Sequence, residues 1–503
     1  MPSDHTPILT HPNLGRIRGI QVTQHLTEFH SLPYALIPQR FARSQPLNRY
    51  PGSDDSSRIY DATKIRPCSI QPLNSTQKDV DSNQLPTKDI IDGEQDQSED
   101  CLRLTITVPT INLTEDEQAK LPVLIFLHGE SKPLVFVSVN YRLGASGFFH
   151  SSEAPDLVPA NNGLHDQIRA FEWVREHISG FGGDSDNVTA MGQSAGGESL
   201  SLHNISGIAA PLYNRSIALA GTPNFRHQAR KLGIATNGSR SSEDIAKTMI
   251  DTPGDKIRDL NFVGAPCTSS EILPYDRPTM ELSASGPQTT VKWLESQIVS
   301  AAGYDGSISW IITKNNPKRK DHARSFKAIA VDVLGQGLAV ELCELYGIND
   351  RISDDDTLTE ICQFESDMSF IRAAEAVAEA IRLTESVPRD AGTRQIFSTH
   401  TWDIVALLGA YDERLSEDYD SVVEECRSKI IGYCVTGQEP WSAVQDSEAM
   451  SVSKSGLNVV DVNSLPSSER KRELDRIASA AKGDSGHDLL WEGVYRRCLD
   501  QGE

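Results

Sequence analysis

Residues 187–197 read "NVTAMGQSAGG", a strand-like run that ends in a glycine-rich turn, and the following "ESLSLHNI" continues as a helix. Gly192-Gln193-Ser194-Ala195-Gly196 has the spacing G-x-S-x-G. A serine between small residues, at a sharp strand-to-helix turn, has its hydroxyl lifted into reach of a base, where bulky neighbours would clash. The N–H of Ala195 then faces the oxygen that becomes negative during acyl transfer. The bare motif also arises by chance in glycine-rich loops; the strand before it and the helix after it are what give it weight.

Working outward, short apolar runs at 103–108, 122–127 and 134–141 alternate with turn residues and read as buried strands. Residues 164–179 place Ile168, Phe171, Val174 and Ile178 at helical spacing, and "GFGGD" at 180–184 supplies the stop. Further helices are predicted over 323–334, 368–383, 401–411 and 420–433. Strands alternating with helices predict one α/β domain over residues 1–503 with a mostly parallel sheet. Its first part, about 1–100, reads as loop-rich and its second half, about 310–503, as helix-rich. The acidic stretch "NDRISDDDTLTE" at 349–360 reads as a solvated helix connection.

Composition narrows the function classes. A formal charge of -22 disfavours nucleic acid and anionic membrane surfaces, which repel an acidic protein. No run is long enough for a membrane-spanning helix, and no basic n-region leads an apolar one, so a cytoplasmic location is expected. The eight cysteines form no C-x-x-C pair, which argues against zinc and dithiol redox sites.

Beyond the serine, "SLPYALIPQRFARSQPL", "SEDCLRLTI", "VFVSVNYRLGASGFF" and "NNGLHDQIRAFEWVREHISGFGGDSDNVTAMGQSAGG" are similar to segments of the carboxylesterase type B family, in the family's order. The resemblance is dense from about residue 15 to 225 and traceable to about 441. It implies an α/β-hydrolase fold and a serine carboxylic-ester hydrolase acting on a small-molecule ester, with no metal or organic cofactor. Oligomeric state and ester identity are not legible. "YDATKIRPCSIQ" also fits, and it puts Cys68 where the family often has a half-cystine partnered with the position of Cys101.

Hydrolases of this fold run serine, acid, histidine along the chain. "QIVSAAGYDGSISW" at 297–310 is similar to the family's acid turn, which selects Asp305, although most members carry Glu there; Glu271 is the competitor. His400 in "FSTHTWDIVALLGAYDERL" resembles the family's histidine segment, with Trp441 following at a family-like interval. His487 reads as a surface residue, and His165 and His177 as packing or surface positions on the predicted helix. The catalytic set implied is Ser194, Asp305 and His400, with Ala195 in the oxyanion hole.

One part of the family pattern is absent. After "LPVLIFLHG" the family continues into a glycine-rich oxyanion loop and a long excursion with a helix. Here His128-Gly129 runs at once into Glu130-Ser131-Lys132-Pro133 and the next strand. A parallel connection is usually about a dozen residues or more, so this deleted crossover predicts that one strand leaves its usual place or that the region packs irregularly. A dropped segment of coding sequence leaves such a junction. The alternative reading is therefore a non-hydrolysing or crippled relative with a binding role.

Overall fold

The structure is a computed structural model that describes residues 6–499, apart from 51, 56, 74–95, 114–119, 128–133, 152–153, 222–241, 259–265, 268–269, 275–290, 315, 317–318, 383–403, 405–406, 409–416, 442–447, 454–455, 465–466 and 483–485. Its strands begin with β1 (Ile8–His11), β2 (Gly15–Arg18), β3 (Ile20–Gln21), β4 (Leu26–Pro33), β5 (Ala35–Leu36), β6 (Gln45–Pro46) and β7 (Ile59–Asp61). The runs seen in the sequence follow as β8 (Arg103–Pro109), β9 (Leu121–Leu127), β10 (Val135–Val139), β11 (Gly183–Gln193), β12 (Arg215–Leu219) and β13 (Ser296–Ser300). A late hairpin is made by β14 (Glu448–Ser453) and β15 (Gly456–Asp461).

Eight strands form the central sheet in the order β13-β12-β11-β9-β10-β8-β4-β3. The five from β13 to β10 are mutually parallel, and β8, β4 and β3 add antiparallel pairs at one edge. Parallel strands are covered on both faces, and every residue of β12 and β13 is buried. One face carries Val123, Ile125, Val135 and Val137 against Phe171, Trp173 and Leu200. The other carries Leu124, Phe126, Phe136, Met191, Leu219 and Ile298 against Ile404, Leu407, Ile430 and Tyr433.

This two-faced burial settles the fate of the shortened junction. β9 and β10 are parallel neighbours in continuous register, from Val135 opposite Val123 to Ser138 opposite Phe126. Neither strand has left its place, so the first of the two alternatives drawn from the missing crossover does not hold; the second, irregular packing, falls on 128–133. Both strands are apolar on both sides, so only interior positions of the sheet satisfy them. The chain must return along about four residues of strand, roughly 13 Å at 3.3 Å per residue. The eight links from Leu127 to Val135 reach about 26 Å. A helix is customary in such a connection, but the reach does not require one. Residues 128–133 themselves lie outside the described set.

The helices that matter for the site are α1 (Asn162–His177), α2 (Ala195–Asn204), α3 (Ser307–Lys314), α4 (His322–Leu345), α5 (Asp354–Glu365), α6 (Arg372–Arg382), α7 (Glu417–Thr436) and α8 (Ser467–Lys482). α4 is kinked at Gly335 (φ 78°, ψ 165°), where the predicted helix 323–334 ends. The acidic stretch is not a bare connection: it opens α5, where Ser353 accepts the Asp356 N–H and three aspartates complement the dipole. A separate cluster of Phe326, Leu342, Phe364, Leu474, Leu490 and Tyr495 holds the C-terminal helices together.

Candidate active site

Ser194 joins β11 to α2 with φ 54° and ψ -120°. A residue with a side chain enters that region at a cost of about 1–3 kcal/mol, so its surroundings must over-determine it. They do. Ser194 N–H donates to Leu219 O (2.9 Å), and Glu198 N–H donates to Ser194 O (2.8 Å). A Cβ on Gly192 would stand 2.4 Å from the carbonyl carbon of Gly196, and one on Gly221 would stand 2.2 Å from Ser194 O. Bare glycines are what let β11, α2 and the end of β12 meet at this point. Ser194 is half-buried and Ala195 exposed, so the turn and the N-terminus of α2 lie at the protein surface. Ala195 N–H, in the first turn of α2, has no intrahelical acceptor, and the helix dipole is positive there.

The acid candidate lies on the same edge of the sheet. Gln193, Leu219 and Ser300 are in register across β11, β12 and β13. Ser194 follows the first of these by one residue, and Asp305 follows the last by five. Two inter-strand spacings put the two turns roughly 10 Å apart, room for an imidazole between them. Asp305 is fully buried, and its Oδ2 accepts the Ala302 N–H at 2.6 Å. Glu271, the competitor, is 80% exposed and stands 3.7 Å from Arg43.

His400 lies outside the described residues. Ile404 and Leu407, a few residues on, pack with Met191, Leu219 and Ile298 on the sheet face below these turns, and Trp441 packs against the same cluster. The three other histidines weighed in the sequence lie elsewhere. His177 is fully buried and pushed down to about 4, mainly by burial. His165 is pushed down to about 3, by burial and then by Arg43 and Arg169. His487 is half-buried, with Nε2 2.7 Å from Asp475 Oδ1.

A polar chain behind Ser194 had no sequence signal. Ser199 donates to Ala195 O (2.8 Å), Gln167 Nε2 donates to Ser199 Oγ (3.1 Å), and His203 Nε2 lies 2.8 Å from Gln167 Oε1. It ties α1 to the first turns of α2 inside the apolar core, and burial takes His203 down to about 3. The partners are 32 and 36 residues apart. Only G-x-S-x-G, which fixes one end, marks the place. Cys68 and Cys101 are both buried free thiols. Among the described residues, no three His, Cys, Asp or Glu side chains group as metal ligands, and no helix is long and apolar enough to cross a membrane.

Three comparisons bear on this geometry. Over 235 residues the chain is 32% identical to a cholinesterase of Mus musculus, covering 42% of this chain and 36% of that protein. Over 331 residues it is 30% identical to the medium-chain fatty acyl-CoA hydrolase precursor of Anas platyrhynchos, covering 58% and 54%. The chain thus spans about a third to a half of the length of these relatives. The fold is that of PNB esterase structures: a thermophilic PNB esterase aligns at TM-score 0.69 and 19% identity over 93% of this chain and all of that one. The profile of the carboxylesterase family matches in two segments, residues 5–133 and 130–247. The segments overlap at 130–133, at the short junction between β9 and β10. By these two segments, residues 5–247 of the chain match the carboxylesterase family.

Proposed function

We propose that the chain is a carboxylic ester hydrolase working through an acyl-enzyme on Ser194. The observation that carries this is the left-handed, hydrogen-bonded Ser194 turn, with the buried Asp305 turn two strands away on one sheet edge. His400, oriented by Asp305, removes the Ser194 proton; the alkoxide attacks the ester carbonyl; the protonated imidazole then delivers its proton to the departing alcohol. Water, activated by the same histidine, hydrolyses the acyl-enzyme. Ala195 N–H supports the oxyanion. The glycine-rich loop that adds further donors in the family is absent from the sequence, and losing one such donor typically costs ~10²–10³ in turnover. A cytosolic location fits eight cysteines that are all free thiols.

The test is fluorophosphonate labelling of the purified chain alongside p-nitrophenyl acetate turnover, with Ser194→Ala as control. Labelling and slow turnover, both lost in the control, are expected. A second reading, a relative with a reactive serine and no hydrolysis, is favoured by the junction of the family matches at 130–133; labelling without turnover identifies it. Absence of both removes the hydrolase reading.

A further inference from the structure

The turn that carries Asp305 is docked, residue by residue, onto the place where α5 passes into a π-helical segment, Ser366–Ile371. Gly306 N–H donates to Ser366 Oγ at 2.9 Å, and the same hydroxyl donates to Cys362 O at 2.8 Å. Tyr304 OH donates to Thr359 O, Trp310 Nε1 to Thr359 Oγ1 and Ser309 Oγ to Glu365 Oε1. Gln363 Nε2 donates to Gly303 O (3.3 Å) and to Asp367 Oδ1 (3.0 Å). The approach is close: a Cβ on Gly306 would stand 2.0 Å from Cys362 O.

The next residue faces another way. Asp367 accepts Tyr346 OH (2.8 Å), Arg470 Nε (2.8 Å) and Arg470 Nη2 (3.2 Å), so it binds the C-terminal helix α8. Ser366 and Asp367 are buried and adjacent, one holding the acid turn and the other α8. The Arg372 N–H reaches back five residues to Asp367 O, the wide turn that defines a π-helix, and such turns recur at functional sites.

We propose that Ser366 is a positioning residue for Asp305, locked in place by Asp367 and Arg470, so that α8 sets the geometry of the acid. This rests on the acyl-transfer reading of the site. An aspartate has one torsion fewer than the glutamate usual in the family, so its carboxylate follows the backbone closely. Fixing the Gly306 N–H therefore fixes the carboxylate. Without the Ser366 hydroxyl that buried N–H loses its acceptor and the turn must shift to find another.

The test is steady-state p-nitrophenyl acetate hydrolysis by the full chain across pH. Ser366→Ala is expected to lower kcat by about 10- to 100-fold, the scale of a misplaced catalytic group, with KM held within about twofold. A carboxylate held farther from the imidazole stabilises its cation less. The acid limb of kcat/KM then moves down by about half a unit. Ser366→Thr, which keeps the hydroxyl, is expected to restore both. Wild-type kcat and pH profile in Ser366→Ala would overturn the proposal, as would the same loss in Ser366→Thr. If Ser366→Ala does not fold, Arg470→Gln decides: a smaller kcat loss with the same downward limb supports the clasp, and an unchanged profile overturns it. A wild-type chain that neither labels nor turns over removes the acyl-transfer reading and the positioning role with it. Wild-type turnover with an indifferent Ser366→Ala removes the positioning role alone.

Discussion

At the scale of single residues, the sequence carried Ser194 further than it carried its partners. G-x-S-x-G names a turn whose dihedral angles only a crowded, glycine-lined junction can hold. That crowding is testable at Gly221, a residue outside the motif. A Cβ there would meet Ser194 O at 2.2 Å and Glu198 N at 2.4 Å, both backbone atoms that cannot rotate away. Gly221→Ala is expected to destabilise the fold by ~1–3 kcal/mol and to abolish fluorophosphonate labelling, because the elbow must open to admit the methyl. Gly337→Ala, an exposed position on α4 with nothing within 4 Å of its Cβ, is the matched control and should keep both. Urea denaturation with labelling of the native fraction reads the difference; an elbow that still labels in Gly221→Ala would show that the serine does not depend on this junction. Asp305 was legible by resemblance rather than spacing, since one carboxylate among 70 acidic residues carries no local mark. The chain Gln167–Ser199–His203 was not legible at all: its members meet only after α1 and α2 pack across the sheet.

At the scale of elements, apolar runs located the buried strands well, because parallel strands are covered on both faces. The runs at 103–108, 122–127 and 134–141 became β8, β9 and β10 within a few residues. Pairing was harder, since the length of a connection limits reach and not direction, and β9 and β10 stayed parallel across seven intervening residues. The β14–β15 hairpin went unread in a half taken as helical, although "AMSVSKSGLNVV" alternates around a short turn. The β1–β2 hairpin carries a further consequence. His11 docks on the end of α1, with Nε2 2.8 Å from His177 O, and its ring lies edge-on to His177. Both ring nitrogens of His177 are buried without hydrogen-bond partners, and Glu176 lies no nearer than 3.9 Å. Its folded pKa is depressed from 6.5 to about 4, and burial also lowers that of His11. Each is neutral when folded and protonates more readily when unfolded. The stability His177 contributes is present above pH 6.5 and is lost as pH falls toward 4, and His11 acts in the same direction. For His177 the loss between pH 7 and pH 5 is on the order of 2 kcal/mol. Urea denaturation at the two pH values should show that drop in the wild type and a flatter response in His177→Phe, which fills the same space without a titrating group. An equal drop in both would place the pH sensitivity elsewhere.

At the scale of the whole molecule, the sheet has an apolar core on each face, and the C-terminal helices have a third of their own. That much buried apolar surface lets the fold stand without covalent ties, and the thiols bear on whether it does. All eight cysteines are free, six buried and two, Cys267 and Cys498, half-buried. Burial raises the thiol pKa throughout: to about 12 at Cys101, Cys426, Cys434 and Cys498, and to about 11 at Cys267. The thiolate is the reacting species, so at pH 8 each of these groups is ionised by no more than about one part in a thousand. Native protein should react slowly with DTNB, the half-buried pair first. Protein unfolded in urea without reductant should release the colour of all eight thiols, and dithiothreitol should leave the native Tm where it was. Six thiols in urea, together with a lower Tm under reductant, would mean that Cys68 and Cys101 are joined as the family resemblance implies. In that case the N-terminal portion is held by a bond and not by packing alone.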